Sequence, residues 1–446
     1  MKRFFVGLPR EVAVLAAVAV AVAVGFGVVA PAIPEFARSF GVGKFWAGAV
    51  ISAFALMRFV SALGGGRLVD TFGERIILAT GIGIVAVSTG LAGLSQSYPQ
   101  LLILRGLGGV GSAMFTVSAI ALLFRVVDDA NRGRASGLFQ AGFLLGGLLG
   151  PLAGGFLTDY SLRLPFYVYA VSLIAAGSIG FVFLQSARPR QDALPAGGEA
   201  PAVEDASATI APRDDALGVD VGLGPTTVAA ESPADSPAAP DAEPSAVAVS
   251  TSLREAWAHP AYRSAILVNF ANGWAFFGVR VSMIPLFVTE EMGERAIWIG
   301  FGFLSASVAQ TGFLLSAGRF VDRKGRRPAM IAGSAIAAAA FLALAVNESR
   351  PVFLLAMAAT GVGAAFVGTA PGAVVGDIMH GRGGRVVAVF QMASDGGAIL
   401  GPLVAGWLAD QASFGAAFVV AAVVLAAATL ASIRMPETLS EAHRAR

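Results

Sequence analysis

Of 446 residues, 56% are hydrophobic and 13% charged, with 55 glycines, no cysteine and a formal net charge of +2, against about 25% charged in average soluble proteins. With a mean hydropathy of +0.73, the chain cannot hide its apolar surface in a soluble core, and a polytopic membrane protein is predicted. Collagen-like, disulfide-scaffold and wholly disordered classes are excluded, as are thiolate chemistry and cysteine metal sites, and the near-neutral charge gives no footing for nucleic-acid binding.

Lys2, Arg3 and Arg10 precede an apolar run from Glu11 to Ile33. That run is longer than the ~7–15-residue core of a secretory signal and no small-residue cleavage site follows, so it reads as a first spanning helix. A span needs about 20 apolar residues at ~1.5 Å rise. Six are predicted before the middle of the chain, near 11–33, 45–66, 76–95, 100–124, 135–157 and 164–185. Six more follow, near 264–288, 297–318, 328–346, 351–376, 386–408 and 413–433.

Between the two sets, residues 187–251 turn to Ala, Pro, Ser, Asp and Glu, as in "ESPADSPAAPDAEPS". Such a composition buries too little surface to order itself, and a disordered linker is expected. The chain thus divides into 1–186, the linker 187–251, and 252–446. With the N-terminus inside, 23 of the 31 Lys and Arg fall in cytoplasmic segments and five in outer loops, namely Arg38, Lys44, Arg163, Arg295 and Arg350. This bias sets both termini and the linker in the cytoplasm.

The two sets of six repeat each other. "GRLVDTFGER" (Gly66 to Arg75) returns as "GRFVDRKGRR" (Gly318 to Arg327), offset by 252. "GVVAPAIPEF" from Gly27 aligns with "GVRVSMIPLF" from Gly278, and "FQAGFLLGGLLGPLAGG" from Phe139 with "FQMASDGGAILGPLVAG" from Phe390, both at offset 251. Two six-helix halves in parallel repeat predict a binding site between them at mid-membrane.

On these motifs the chain resembles the major facilitator superfamily over nearly its whole length, specifically the 12-helix drug:proton antiporter branch. The loop between the second and third spans matches that family's "GxLaDrxGrk" signature, with Thr71 and Glu74 as departures in the first copy. Arg105 with Gly109 and Gly111 ("RGLGGVGSA") resembles the fourth-span motif of proton-coupled members. Gly146, Gly150, Pro151, Gly154 and Gly155 resemble the "GxxxGPxxGG" pattern of the fifth span in drug:proton antiporters, and Pro31 with Pro34 fits the same branch. "RMPET" at Arg434 to Thr438 is a common close to the twelfth helix. The fold implied is an all-α polytopic membrane protein of twelve helices in two pseudo-symmetric six-helix bundles.

Residue chemistry adds candidate roles. Gly66 and Gly318 would let helices approach closely. Asp70 and Asp322, with Gly73, Arg75, Arg323, Gly325 and Arg326, would form a cytoplasmic gating latch, a carboxylate meeting the free N–H groups at a neighbouring helix start. In the family that neighbour is the eleventh helix for the first copy, and the contact is made in the outward-open state. Pro151 removes a backbone donor within the small-residue face of the fifth span; close packing alone is the plainer reading of that face.

Arg58, Arg105, Arg280 and Asp395 are the charges well inside spans, where an ionisable group is costly and functional by default. Asp395 is the best proton-titrating candidate, with an arginine pair or helix-cap role as its structural alternative. Arg58 aligns with Gln310 and Arg280 with Val29. Asn269, Asn272, Trp274, Gln140 and Gln391, with Phe139, Phe276, Phe277 and Phe390, could line an amphiphile pocket or serve packing. The first span lacks the acidic cavity residue of several cation-exporting relatives, and His259, His380 and His443 read as cytoplasmic. No Walker loop, catalytic triad or metal-spaced cluster appears, so no enzyme, cofactor or metal is expected.

The function expected is proton-coupled, alternating-access efflux of small amphiphilic or drug-like compounds by a monomer in a prokaryotic plasma membrane, with the bilayer, the substrate and protons as its partners. A sugar or anionic-metabolite carrier, and a non-transporting sensor signalling through the linker, remain as alternatives.

Overall fold

The computed structural model describes residues 9–127, 132–183, 251–379 and 384–439. The linker expected at 187–251 falls, but for its last residue, outside them. Twelve helices among the described residues are long and apolar enough to cross a membrane, in register with the twelve read from sequence, and no strand interrupts them. Several run further than hydropathy suggested. The second span belongs to a helix over Lys44–Phe72, the fifth to Arg132–Tyr160, the eighth to Ile297–Lys324 and the eleventh to Gly384–Gln411. A chain that fills a bilayer with apolar residues can extend its helices into polar surroundings with no change in local backbone preference.

The first membrane crossing covers Arg10–Arg38 rather than ending at Ile33. It is built from two helices, Arg10–Val29 and Ala32–Arg38. The join falls where Pro31 and Pro34 lack the N–H that would bond Gly27 and Ala30, so the helical ladder cannot run straight through. The seventh crossing, Pro260–Glu291, is irregular in a related way. It passes through wide π-helical turns at Gly273–Val279 and Phe287–Glu291 on either side of Pro285. Such turns recur at functional sites.

In the N-terminal half the first span packs on the fifth and sixth, the third on the fourth and sixth, and the second on the fourth. The C-terminal half repeats this scheme, the seventh span lying on the eleventh and twelfth, the ninth on the tenth and twelfth, and the eighth on the tenth. The repeat extends to single atoms. A Cβ at Gly109 would lie 2.3 Å from the Phe54 carbonyl oxygen, and one at its equivalent, Gly361, 2.0 Å from that of Ala306. Gly81 and Gly111 oppose each other's backbones just as Gly333 and Gly363 do. Gly73 and Gly325 both take positive φ, 82° and 115°, a conformation that a Cβ would strain. Small residues at equivalent crossings let backbones touch, the main means of helix association in lipid, where apolar surface alone gives no drive.

Two long seams join the halves, the second span against the eleventh and the fifth against the eighth, with a shorter contact of the seventh span on the first and second. The two seams are equivalents under the repeat. Gly48 meets the Pro402 carbonyl oxygen, and Gly300 that of Pro151. Both seams are tight toward the end that carries Arg38, Asp159, Arg295 and Asp410. Toward the opposite end, a Cβ at Gly64, Gly312 or Gly318 would meet nothing within 4 Å, and Leu63 and Leu315 are 71% and 74% exposed. The halves are closed at one end and parted at the other. Gly318 was expected to serve close helix approach; here no neighbour reaches it, because it lies at the parted end.

Candidate functional site

The point at which each seam opens is marked by a cross-half hydrogen bond. Ser52 Oγ donates to the Ile399 carbonyl at 2.7 Å in one seam, and Ser307 Oγ donates to the Gly147 carbonyl at 2.9 Å in the other. Six residues beyond Ser52, about 9 Å along a helix, is Arg58, exposed toward the parted end. Asp395 sits four residues before Ile399, half-buried, within electrostatic reach of Arg58 but with no ion pair to it. In the second seam Gln310, also half-buried, occupies the position equivalent to Arg58. One cation and one carboxylate thus meet at the apex where the first seam opens, and an amide takes the cation's place in the second. The repeat is broken there, since an internal duplication would otherwise give two identical faces.

The remaining candidates separate into different surroundings. Arg105 is 2% exposed and lies inside the N-terminal half, its guanidinium 4.6 Å over the Phe54 ring. Nε and Nη1 find no acceptor. Phe54 and Gly109 belong to the crossing of the second and fourth spans, so Arg105 fills a helix crossing rather than the apex. Arg280 stacks against Phe276 at 5.3 Å and Phe303 at 5.9 Å, with Nε and Nη1 also unmatched. Buried guanidinium donors without acceptors are costly and uncommon, which makes both arginines unusual for purely structural residues.

The amide and aromatic candidates divide as well. Asn269 Nδ2 donates to the Phe390 carbonyl at 2.7 Å and staples the seventh span to the eleventh. Trp274 is buried against Phe270 at 5.9 Å with its indole N–H unmatched. Gly397 and Gly401 hold the eleventh span so close that their Cβ atoms would lie 2.5 Å from Trp274 N and 2.8 Å from Trp274 O. Asn272 is half-buried and Gln391 exposed. The side chains of Gln140 and Asp70 and the surroundings of Gly66 lie outside those described, and with them the expected Asp70 latch.

The second copy of the loop motif is stapled within its own half. Glu437 accepts the backbone N–H groups of Arg326 and Arg327 at 2.9 and 3.1 Å, capping the ninth span, whose N-cap residue Gly325 has no side chain. Arg326 Nε pairs with Asp377 at 3.0 Å, and Thr438 Oγ1 donates to the same carboxylate at 2.7 Å. Asp322 is 75% exposed with Arg326 3.6 Å away; Arg323 is exposed. In the first copy Gly73 turns the chain, Arg75 lies 4.7 Å over the Phe181 ring and Glu74 pairs with Arg125.

The fifth-span glycines face the first span. A Cβ at Gly146 would sit 2.3 Å from Ala23 Cβ, at Gly150 2.5 Å from Val24 O, and at Gly154 2.3 Å from Val28 O. Gly155 instead meets Gly300 N of the eighth span at 2.8 Å. The motif is therefore a two-sided packing surface with Pro151 between its faces.

At the closed end a set of contacts that sequence reading missed ties the halves together. Asp410 accepts the Lys44 and Phe45 N–H groups, both at 2.8 Å. Its equivalent Asp159 pairs with Arg295 at 2.8 Å. Arg38 pairs with Glu290 at 2.7 Å, Lys44 Nζ lies 3.7 Å from the same carboxylate, and Thr289 Oγ1 contacts Glu35 Oε1 at 2.6 Å. The offset of 251 between Asp159 and Asp410 was the available signal; their partners lie in the opposite half, which no local pattern discloses.

Comparison with known proteins agrees with this architecture. A bacterial homologue of the human lysosomal transporter Spinster, in an inward-facing and unoccupied conformation, superposes with a TM-score of 0.69 over 95% of this chain and 96% of that one, at 16% identity. Multidrug resistance protein 2 of Bacillus subtilis (strain 168) is 29% identical over 163 residues, 36% of this chain and 41% of that protein. Quinolone resistance protein NorA of Staphylococcus aureus (strain MRSA252) is 28% identical over 158 residues, 35% and 39% of the two chains. The match spans about two fifths of each of these two relatives. The profile of the Major Facilitator Superfamily matches residues 15–316 and again 265–446. The chain belongs to that superfamily.

Proposed function

We propose that the chain exports small amphiphilic or drug-like compounds in exchange for protons, by alternating access between its two halves. The observation that carries this reading is the polar apex where the seams part: Arg58, Asp395 and Gln310, reachable from the open end and sealed from the other. Asp395 would carry the proton, as the one carboxylate among the charges well inside the spans, with Arg58 as its neighbouring cation. The names of the matched relatives, concerned with multidrug and quinolone resistance, support efflux over uptake. Arg105 and the two-sided glycine surface are the family motifs that accompany antiport.

The parted end is read as cytoplasmic from the Lys and Arg distribution, so the halves are open inward, with both termini on that side of a bacterial plasma membrane. The loop motifs would then latch the same end when it closes, Asp70 and Asp322 engaging helix starts across the seam. In this reading 1–186 and 252–446 move as two bodies joined by the linker 187–251, within one monomer. A carrier of anionic metabolites is the second reading, favoured by the unmatched donors of Arg280.

Reconstituted protein should move a fluorescent amphiphile along an imposed pH gradient, and Asp395→Asn should abolish gradient-driven movement while leaving exchange down a substrate gradient. Flux in the unmodified chain that ignores the pH gradient would remove proton coupling from the proposal.

A further inference from the structure

Glu35 stands at the closed end, two residues past the predicted end of the first span and so in the loop that hydropathy assigns to the outside, and no motif points to it. It is half-buried between the ends of the first and seventh spans. The charged groups facing it come from each element packed around it. Arg38, on its own helix, and Lys44, on the second span, both engage Glu290 of the seventh span. On the fifth span Asp159 is taken by Arg295, and Arg163, in the loop that follows, lies 5.5 Å over the Phe36 ring. The nearby cations are therefore committed elsewhere, and what Glu35 touches is the hydroxyl of Thr289.

That hydroxyl has two oxygens within reach: Glu35 Oε1 at 2.6 Å and the Pro285 carbonyl at 3.2 Å. It owns a single hydrogen. If Glu35 is ionised, Thr289 can serve the carboxylate or the carbonyl but not both, and a second carboxylate, Glu290, stands on the next residue. If Glu35 is protonated, its O–H donates to Thr289 Oγ1, Thr289 donates to Pro285, and every contact is made at once.

We propose that Glu35 is the proton-binding group of the closed end, joining the first and seventh spans through Thr289 when protonated and releasing them when ionised. A proton arriving from that side would thereby favour closure there, the step that returns the transporter to its other face. The inference rests on the alternating-access part of the reading above and is independent of Asp395.

The chain has no cysteine, which makes a single introduced thiol a clean reporter. Ser52 is 4% exposed at the seam behind this gate, and opening the gate should uncover it. In full-length protein in nanodiscs, maleimide labelling of Ser52→Cys, normalised to the exposed Gln411→Cys, should rise roughly fivefold from about pH 5.5 to about pH 8.5, the effect of one hydrogen bond. With Glu35→Gln, whose amide donates as the protonated acid does, labelling should stay low at both values. With Thr289→Val the pH response should vanish. A pH response unchanged by Glu35→Gln, or absent from the parent protein, overturns the proposal. Should Ser52→Cys fail to fold, Ser307→Cys reports on the other seam by the same criterion. Gradient-driven flux is measured separately. A gate that responds to pH in a protein without proton-driven flux would sink the antiport reading alone; proton-driven flux with an unresponsive gate would sink this one alone.

Discussion

A methyl group added at Gly154 would lie 2.3 Å from the Val28 carbonyl oxygen, whereas one at Gly147 would meet nothing within 4 Å. Both positions are glycine in one helix, and the sequence motif includes only the first. Gly154→Ala should therefore force the first and fifth spans apart, costing about 1–3 kcal/mol as overpacking does. Gly147→Ala should be neutral or slightly stabilising, since alanine favours a helix. Thermal unfolding in detergent compares the two, and equal melting temperatures would deny the close contact. At this scale the sequence identified which glycines matter through a resemblance. The structure supplies the reason, because the distance to a facing backbone is a property of two helices together.

Asp410 and Glu437 do similar work for whole elements. The second span begins after Gly43, which offers no side-chain cap, and its first two N–H groups are met by Asp410 from the other half. The ninth span begins after Gly325 and is capped by Glu437 from beyond the twelfth. Removing a capping carboxylate typically costs about 1 kcal/mol, but the two losses should read out differently. Asp410→Ala should speed hydrogen exchange at Lys44, Phe45 and Trp46 and loosen the closed end, because its contact crosses a seam. Glu437→Ala should lower the melting temperature without changing how the seams open, because its contact stays within one half. Matching effects of the two variants on exchange at 44–46 would contradict this division. Neither cap follows the usual pattern of Ser, Thr or Asp just before a helix, so neither could be read from the chain.

For the whole molecule, opening and closing is an equilibrium between two packings, and ligands or protons act only by differential affinity for them. The cross-half contacts made by charged side chains gather at one end among the described residues: Arg38 with Glu290, Asp159 with Arg295, Asp410 with the second span, and Glu35 with Thr289. The composition of the linker predicts charge and solubility in place of packing surface. Deleting residues 190–250 and joining the ends through a short Gly/Ser segment should leave substrate flux in proteoliposomes within about twofold. Loss of flux in a correctly inserted deletion protein would give the linker a role in transport, and the sensor reading would regain ground.

The number of spans, their order and the duplication at offset 252 are set by the sequence itself, because the bilayer demands about 20 apolar residues per crossing and repeated motifs survive as letters. The residues of the polar apex were also legible as rare charges in apolar runs, since placing Arg58 and Asp395 in lipid is too costly to occur without use. Their grouping was not legible. Arg105 and Arg280 carry the same sequence signal as Arg58, yet one fills a helix crossing and the other stacks on Phe276 and Phe303. Only the tertiary structure separates them, and it alone reveals the closed end, where Glu35, Asp159 and Asp410 find partners some 136 to 366 positions away along the chain. Hydropathy measures what one residue does in lipid. Which end of two packed halves is shut depends on pairs of residues, and no single position records that.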